Sequence, residues 1–337
     1  MAPLKVAVVG MGNIGNVHAR CYQANPKTKI AAVCDLVREK ADAAAAAYGA
    51  RAFYSVQEML QSGLKIDCAS MCTAGRENGG DHYTPTMELL TAGISTLGEK
   101  PISNEIDKAK KMVALARKNN VRYAIDLNHR FTPAARLARQ WVDEGRLGHL
   151  HIINMTMWID NPNETAEHFH ARALHPHSID VMRYFCGDVA RVQAFFNHGQ
   201  TRDGKVRKCW SNLQANMLFE SGVVGHLTGS YDAGGGFGLE RCEVTGSRGR
   251  FVLEEACEDL TLYSRNNSGR ESHHHLGGMT NFGETFASRI AVWVDQNVKK
   301  VKPAQVDGSG EDALRAQKVI EACITSWNTN KVVSVKY

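Results

Sequence analysis

Short apolar runs alternate with helix-period segments along the first 128 residues. These short runs fall at 6–9, 30–34, 68–73, 95–98 and 123–127. The segments between them carry helix punctuation. Ser55 followed by Glu58 is a capping box with Gly63 as its stop, and a helix opening near Asn104 or Glu105 closes at Asn119 and Asn120. The alanine run at 43–47 lies between charged helix formers and Gly49 and reads as a helix with a small packing face. This alternation predicts βαβ units around a parallel sheet, an α/β domain of the Rossmann kind.

Beyond Pro133 the pattern changes. A helix at 134–144 leads into strand-like runs at 149–159, 189–197, 209–219, 223–231, 240–245, 251–254 and 260–263, most of them joined by short turns. They predict an α+β domain with a large open, mostly antiparallel sheet. A helix at 177–185 interrupts them, and helices at 284–299 and 311–328 precede a last strand at 332–335. A length of 337 residues suits two domains, placed at 1–128 and 129–337.

Composition narrows the function classes. Hydrophobic residues at 43% and charged residues at 22% exclude a disordered chain. The +5 balance of 40 basic over 35 acidic residues is interleaved, which argues against nucleic-acid or membrane partners. The longest stretch without Asp, Glu, Lys or Arg is 6–19, shorter than the roughly 18 residues of a membrane span, and the N-terminus runs straight into a strand with no signal-peptide core. Nine cysteines include no Cys-x-x-Cys. Cys68 and Cys72, about 13 Å apart if in one strand, cannot bridge, so a reducing cytoplasm is expected.

The first turn reads Gly10-Met11-Gly12-Asn13-Ile14-Gly15, after a strand and before a helix. Glycines let the backbone approach a pyrophosphate, and the helix N-terminus presents N–H groups and positive potential to it. Asp35 ends the second strand, twenty residues after Gly15, where a carboxylate binds a ribose diol. Because it repels a 2′-phosphate, NAD is expected over NADP, with Arg38 as a residue able to soften that preference. The glycines at 234–236 and 238 precede no helix and read as a flexible loop or a substrate gate.

Gly98-Glu99-Lys100-Pro101 follows the strand at 95–98, at the carboxyl edge where open α/β sheets bind ligands. A lysine there can meet a substrate hydroxyl. Four histidines, His168, His170, His175 and His177, fall within ten residues. With no cysteine or His-Glu-x-x-His pattern beside them, no metal is expected. Pro176 suits a helix first turn, which would set His177 at a helix N-terminus as a neutral imidazole, a competent base, with Asp180 on the same face.

Gly10 to Gly15, Asp35, Glu99-Lys100-Pro101, Asn128-His129-Arg130-Phe131-x-Pro133 and His177-x-x-Asp180, in this order and followed by an antiparallel domain, resemble the glucose–fructose oxidoreductase and inositol dehydrogenase (Gfo/Idh/MocA) family over essentially the whole chain. The resemblance implies NAD held by the glycine loop and Asp35, with Thr73, His82, Glu99 and Lys100 nearby. It implies a sugar or cyclitol substrate whose reacting hydroxyl meets Lys100 and His177. Asn128, Arg130, Trp158 and Asp180 are expected around that substrate, together with His175 and Arg172. It also implies a homodimer or homotetramer.

This chain departs from the family pattern at Ala173, where the family usually has an Asp four residues before the His, and at His175, where it often has Gly. His175 is therefore expected to stand in for the missing carboxylate. Arg172 is expected to meet an acidic substituent. The turn from Thr73 to His82 is lengthened, which would reshape the nicotinamide end, and His273-His274-His275 is either a solvated loop or part of a substrate rim. The reaction expected is reversible oxidation of a ring secondary alcohol. Its rivals are redox-neutral glycoside cleavage through transient C3 oxidation and a non-catalytic sugar-sensing regulator.

Overall fold

The computed structural model describes residues 2–75, 81–232, 239–255, 257–265 and 269–337. They form two compact units, Met1–Asp126 with Phe286–Leu314, and Leu127–Thr285 with Arg315–Tyr337.

The first unit opens with β1 (Leu4–Val9), α1 (Asn13–Ala24), β2 (Thr28–Cys34), α2 (Arg38–Tyr48), β3 (Arg51–Phe53) and α3 (Val56–Gln61). It continues with β4 (Cys68–Met71), α4 (Tyr83–Thr91), β5 (Ser95–Gly98), α5 (Ile106–Lys118) and β6 (Tyr123–Ile125). Among the described residues these strands join in the order β3-β2-β1-β4-β5-β6, every pair parallel. This is the doubly wound Rossmann order, which reverses direction between β1 and β4 and so opens a ligand crevice beyond their carboxyl ends. Every residue of β4 and β5 is buried, the polar Ser70, Ser95 and Thr96 included, as in strands covered on both faces. Ser55 caps α3 by accepting from the Glu58 N–H at 3.1 Å. The Glu58 carboxylate accepts from Tyr54 N–H, one residue earlier than a capping box requires.

The second unit contains α6 (Pro133–Asp143), β7 (Leu150–Trp158), α7 (Phe169–Cys186), β8 (Val189–Asn197), β9 (Asn212–Phe219) and β10 (Val224–Ser230). Next come β11 (Leu239–Gly246), β12 (Gly249–Glu254), β13 (Asp259–Ser264) and β14 (Arg270–His273). After α8 (Gly283–Val298) and α9 (Gly310–Thr329), β15 (Val333–Ser334) completes a nine-stranded sheet in the order β14-β13-β12-β11-β7-β10-β9-β8-β15. All its pairs are antiparallel except β7 with β10. One face packs on α6, α7 and α9 through Trp141, Met182, Phe185 and Ile320. Along β8, Val192, Ala194 and Phe196 turn to that core while Phe195 stays half exposed on the other face.

Two expectations are corrected. The chain from 129 onward is not one domain, because α8 lays Ile290, Trp293 and Val294 on the first unit's core beside Val6, Tyr22 and Ile30. The buried Arg289 guanidinium fixes it by donating to the carbonyls of Ile125 and Gly308. The helix expected at 177–185 begins at Phe169, so Pro176 lies inside α7 and not at its start. A proline there removes one backbone hydrogen bond, and burial of Phe169, Ala171, Leu174 and Ile179 in the sheet core offsets that loss. The helix-dipole argument for His177 therefore fails, since the effect is confined to the first turn. No helix among the described residues is long and apolar enough to cross a membrane, and all nine cysteines are free thiols.

Candidate active site

In the first unit the glycine loop is built for close approach. Gly10 has φ +87°, and a Cβ there would stand 2.6 Å from Thr73 N; a Cβ on Gly15 would stand 1.8 Å from Gly10 O. Gly12 differs, because a Cβ there would meet no protein atom within 4 Å. Its glycine leaves open space directly before α1, whose first turn at Asn13 and Ile14 has no side-chain cap. Asp35 is anchored to the same loop, its Oδ2 accepting from Met11 N–H at 2.7 Å and its Oδ1 from Val37 N–H at 2.8 Å. Each oxygen keeps a lone pair for a diol. An uncapped helix N-terminus behind an open glycine, beside an oriented carboxylate, fits a dinucleotide's pyrophosphate and ribose. Arg38 stacks on the Tyr54 ring at 3.9 Å.

Beyond β4, the Thr73 hydroxyl donates to Asp81 O at 2.7 Å. His82, 6% exposed, has its two ring nitrogens 2.8 Å from Thr73 O and 2.9 Å from Pro101 O. It is a strut between the two loops, so both nitrogens are committed to backbone. Most of the lengthened turn, residues 76–80, lies outside the described residues, as does the glycine cluster at 234–238.

At the end of β5 the Glu99 N–H donates to Met71 O at 2.9 Å, and Lys100 N–H donates to Glu99 Oε2 at 3.2 Å. The Lys100–Pro101 peptide is cis. Burial lowers the Lys100 pKa, partly countered by the carboxylates of Glu99 and Asp126. Glu99 and Asp126 both contact His18 on α1, at 3.1 and 3.0 Å. Sequence reasoning missed His18 and Asp126. Their signals are polar residues where apolar ones belong: His18 shares the buried stripe of α1 with Gly15, Ala19 and Tyr22, and Asp126 interrupts the run at 123–127.

In the second unit a 3-10 turn, Asn128–Phe131, packs on α7. His129 stacks on His177 with ring centroids 4.2 Å apart. His129 Nδ1 makes a short hydrogen bond to Glu240 at the head of β11, and its Nε2 is buried with no hydrogen-bond partner among the described residues. Arg130 Nε lies 3.0 Å from Asp180 Oδ2. Asn128 donates to Thr285 Oγ1 at 2.6 Å, while its amide oxygen is buried and unbonded. Asn128, Arg130, His177 and Asp180 are thus brought into one cluster, and Glu240 is a member the sequence did not reveal.

The profile of the Gfo/Idh/MocA oxidoreductase family, NAD-binding Rossmann fold, matches residues 4–127, and that of the Gfo/Idh/MocA C-terminal domain matches residues 135–252. The chain belongs to the Gfo/Idh/MocA family. Its first unit is that family's NAD-binding domain. It is 22% identical over 346 residues to inositol 2-dehydrogenase of Rhizobium meliloti (strain 1021), covering 98% of this chain and 99% of the relative. It is 32% identical over 152 residues to D-glucoside 3-dehydrogenase of Escherichia coli (strain K12), covering 45% and 42%. A solved levoglucosan dehydrogenase in complex with NADH and L-sorbose superposes with a TM-score of 0.88 at 18% identity, over 100% of both chains.

Three of the residues expected at this Gfo/Idh/MocA site are not brought to His177. His175 is fully buried, with ring nitrogens 3.0 Å from Ser178 Oγ and 3.1 Å from His170 Nε2. Two residues along a helix turn it about 200° from His177, and burial pushes its pKa down to about 3. It packs against β10 so closely that a Cβ on Gly229 would lie 2.0 Å from its Nε2. Arg172 is held by Glu321 through two hydrogen bonds of 2.8 and 2.9 Å. Trp158 follows Met157, which contacts Ser178 of α7 at 3.2 Å. Alternation therefore turns Trp158 to the opposite sheet face, where it lines a groove with Phe195, Gln214 and Thr228. The three histidines at 273–275 pair with Glu271, Asp259 and Glu258, as a solvated loop does.

Proposed function

We propose that this protein reversibly oxidises a ring secondary alcohol of a sugar, sugar derivative or cyclitol, using NAD. The observation that carries the reading is Lys100, half-buried beside the buried Glu99 at the carboxyl end of β5 in an NAD-binding unit. The names of the relatives, dehydrogenases of inositol and of D-glucoside, support the substrate class. NAD, once bound, would supply the acceptor for the carbon-bound hydrogen and its electron pair. His177 takes the hydroxyl proton, and the Lys100 ammonium stabilises the oxygen as negative charge develops on it. His129, stacked on His177 and hydrogen-bonded to Glu240, supplies the support that Ala173 cannot. Gly10, Gly12, Gly15 and Asp35 hold the cofactor, and the Asp35 carboxylate favours NAD over NADP.

An absorbance screen for reduced cofactor against inositols, hexoses, sugar acids and glycosides, with NAD and NADP, tests the reading. Lys100→Ala and His177→Ala should each lose turnover and still bind NADH; wild-type turnover in both would overturn it. Release of aglycone without NADH accumulation would point instead to redox-neutral cleavage. Ile152, Phe195, Val224 and Val332 are exposed apolar side chains, and they support a homo-oligomer formed through the open sheet face, to be checked by light scattering.

A further inference from the structure

The ring of His18, with no solvent exposure, lies between two buried carboxylates. Its Nε2 is 3.1 Å from Glu99 Oε1 and 3.0 Å from Asp126 Oδ2, while its Nδ1 is 3.0 Å from Ser70 Oγ, which in turn contacts Tyr22 OH at 2.8 Å. Four elements meet here: α1 behind the glycine loop, β4, the end of β5 and the end of β6. Neither Asp126 oxygen makes a well-formed hydrogen bond among the described residues, so its buried charge depends on neighbouring positive groups. Those groups are His18, Lys100 and Arg289; Cys21, Cys72, Tyr22 and His82 are the other titratable groups facing the cluster.

We propose that Asp126 is a positioning residue for Lys100 that acts through Glu99: His18 Nε2 joins the two carboxylates, the Glu99 carboxylate accepts from the Lys100 N–H, and His18 supplies the positive charge this buried acidic pair needs. One proton shared among His18, Glu99 and Asp126 gives the trio a net charge of −1, whichever atom carries it, and this balances the lysine. Burial works against a charge on His18, but Cys72, Asp126 and Glu99 outweigh it and raise the His18 pKa well above its ordinary value. Burial likewise disfavours the Lys100 ammonium, and the same two carboxylates oppose that. The inference rests on the reading of Lys100 as the group that meets the hydroxyl.

The test follows the titration of Lys100 in the full chain by pH-dependent acylation and mass spectrometry, beside the pH profile of kcat/KM. Asp126→Asn, which removes a carboxylate without changing shape, should move the Lys100 titration and the alkaline limb down together by about one pH unit. His18→Gln removes the positive partner and leaves both carboxylates, so Lys100 should hold its place or move up. A network that merely braces the fold would lower kcat in both variants and leave both titrations where they are. That result, or equal downward shifts in the two variants, overturns the proposal. If Asp126→Asn does not fold, Asp126→Ser carries the same sign. Labelling that shifts as expected while Lys100→Ala keeps full turnover would sink the proposed reaction and leave the electrostatic inference standing.

Discussion

The imidazoles of His129 and His177 lie face to face, with centroids 4.2 Å apart and planes 29° apart, and Glu240 accepts a hydrogen bond from the outer ring. A stacked ring made electron-rich by a carboxylate stabilises positive charge on the inner imidazole, the form His177 would take as the proposed base. Removing the proposed base, in His177→Ala, should lower kcat by about 10² to 10⁴. Glu240→Gln keeps the shape and loses one charge-assisted hydrogen bond, worth roughly 1.5–3 kcal/mol, so kcat should fall about ten- to a hundredfold with NADH affinity unchanged. Steady-state kinetics with NADH titrations check both. Wild-type kcat in Glu240→Gln would remove the dyad from the reaction.

Gly10 and Gly12 separate folding from cofactor binding. At Gly10 a side chain meets positive φ and a contact of 2.6 Å with Thr73 N, so Gly10→Ala should cost more than about 1 kcal/mol of stability. At Gly12 a Cβ enters open space. Gly12→Ala should therefore melt with the wild type, yet bind NADH at least about tenfold more weakly. Thermal melts with and without NADH distinguish the two. Equal NADH affinity for Gly12→Ala and wild type would show that the open space is not the pyrophosphate site.

The parallel sheet was legible because short, mostly buried strands alternate with helix-period segments, and the apolar stretches of β1, β2 and β6 mark that alternation. Strand β3 escaped notice, since three residues with Arg51 exposed carry no period. The assignment of α8 was not legible either: its apolar stripe announces a helix but not which sheet it covers. Around the site, residues fixed by short motifs were readable, whereas partners brought from far along the chain were not. Glu240 lies 111 residues from His129, and Glu321 lies 149 from Arg172. The histidines at 168–177 misled because density in sequence is not proximity in a helix; His175 and His177 point to different faces.

Arg172 illustrates the consequence. Its guanidinium is held in a two-point bond by Glu321, with both side chains about three-quarters buried at 22% and 26% exposure. It therefore serves the anchoring of α7 to α9. Arg172→Ala should show equal relative activity on a charged sugar and its neutral analogue, and lose about 1 kcal/mol of stability through the broken pair. Paired kinetics and urea melts decide this. A selective loss on the charged substrate would restore Arg172 to the substrate.

His175 and His170 should make stability pH-dependent. Burial depresses both, His175 to about 3 and His170 well below its ordinary value, the latter with help from the adjacent His175 ring. In the unfolded chain each binds a proton near pH 6.5. A depressed folded pKa means that the unfolded state takes up protons first as pH falls, so the stability present above pH 6.5 is lost progressively down to about pH 3. The slope reaches about 1.4 kcal/mol per pH unit for each group, which for His175 alone amounts to about 2 kcal/mol between pH 7 and pH 5. His18 has the opposite sign, since its pKa is raised; its contribution is complete at low pH and fades only as pH rises. Urea unfolding at pH 7 and pH 5 should show the acid loss in the wild type and a smaller loss in His175→Gln, which keeps a polar group beside Ser178 but takes up no proton. An equal loss in the two proteins would mean that the acid sensitivity lies elsewhere in the fold.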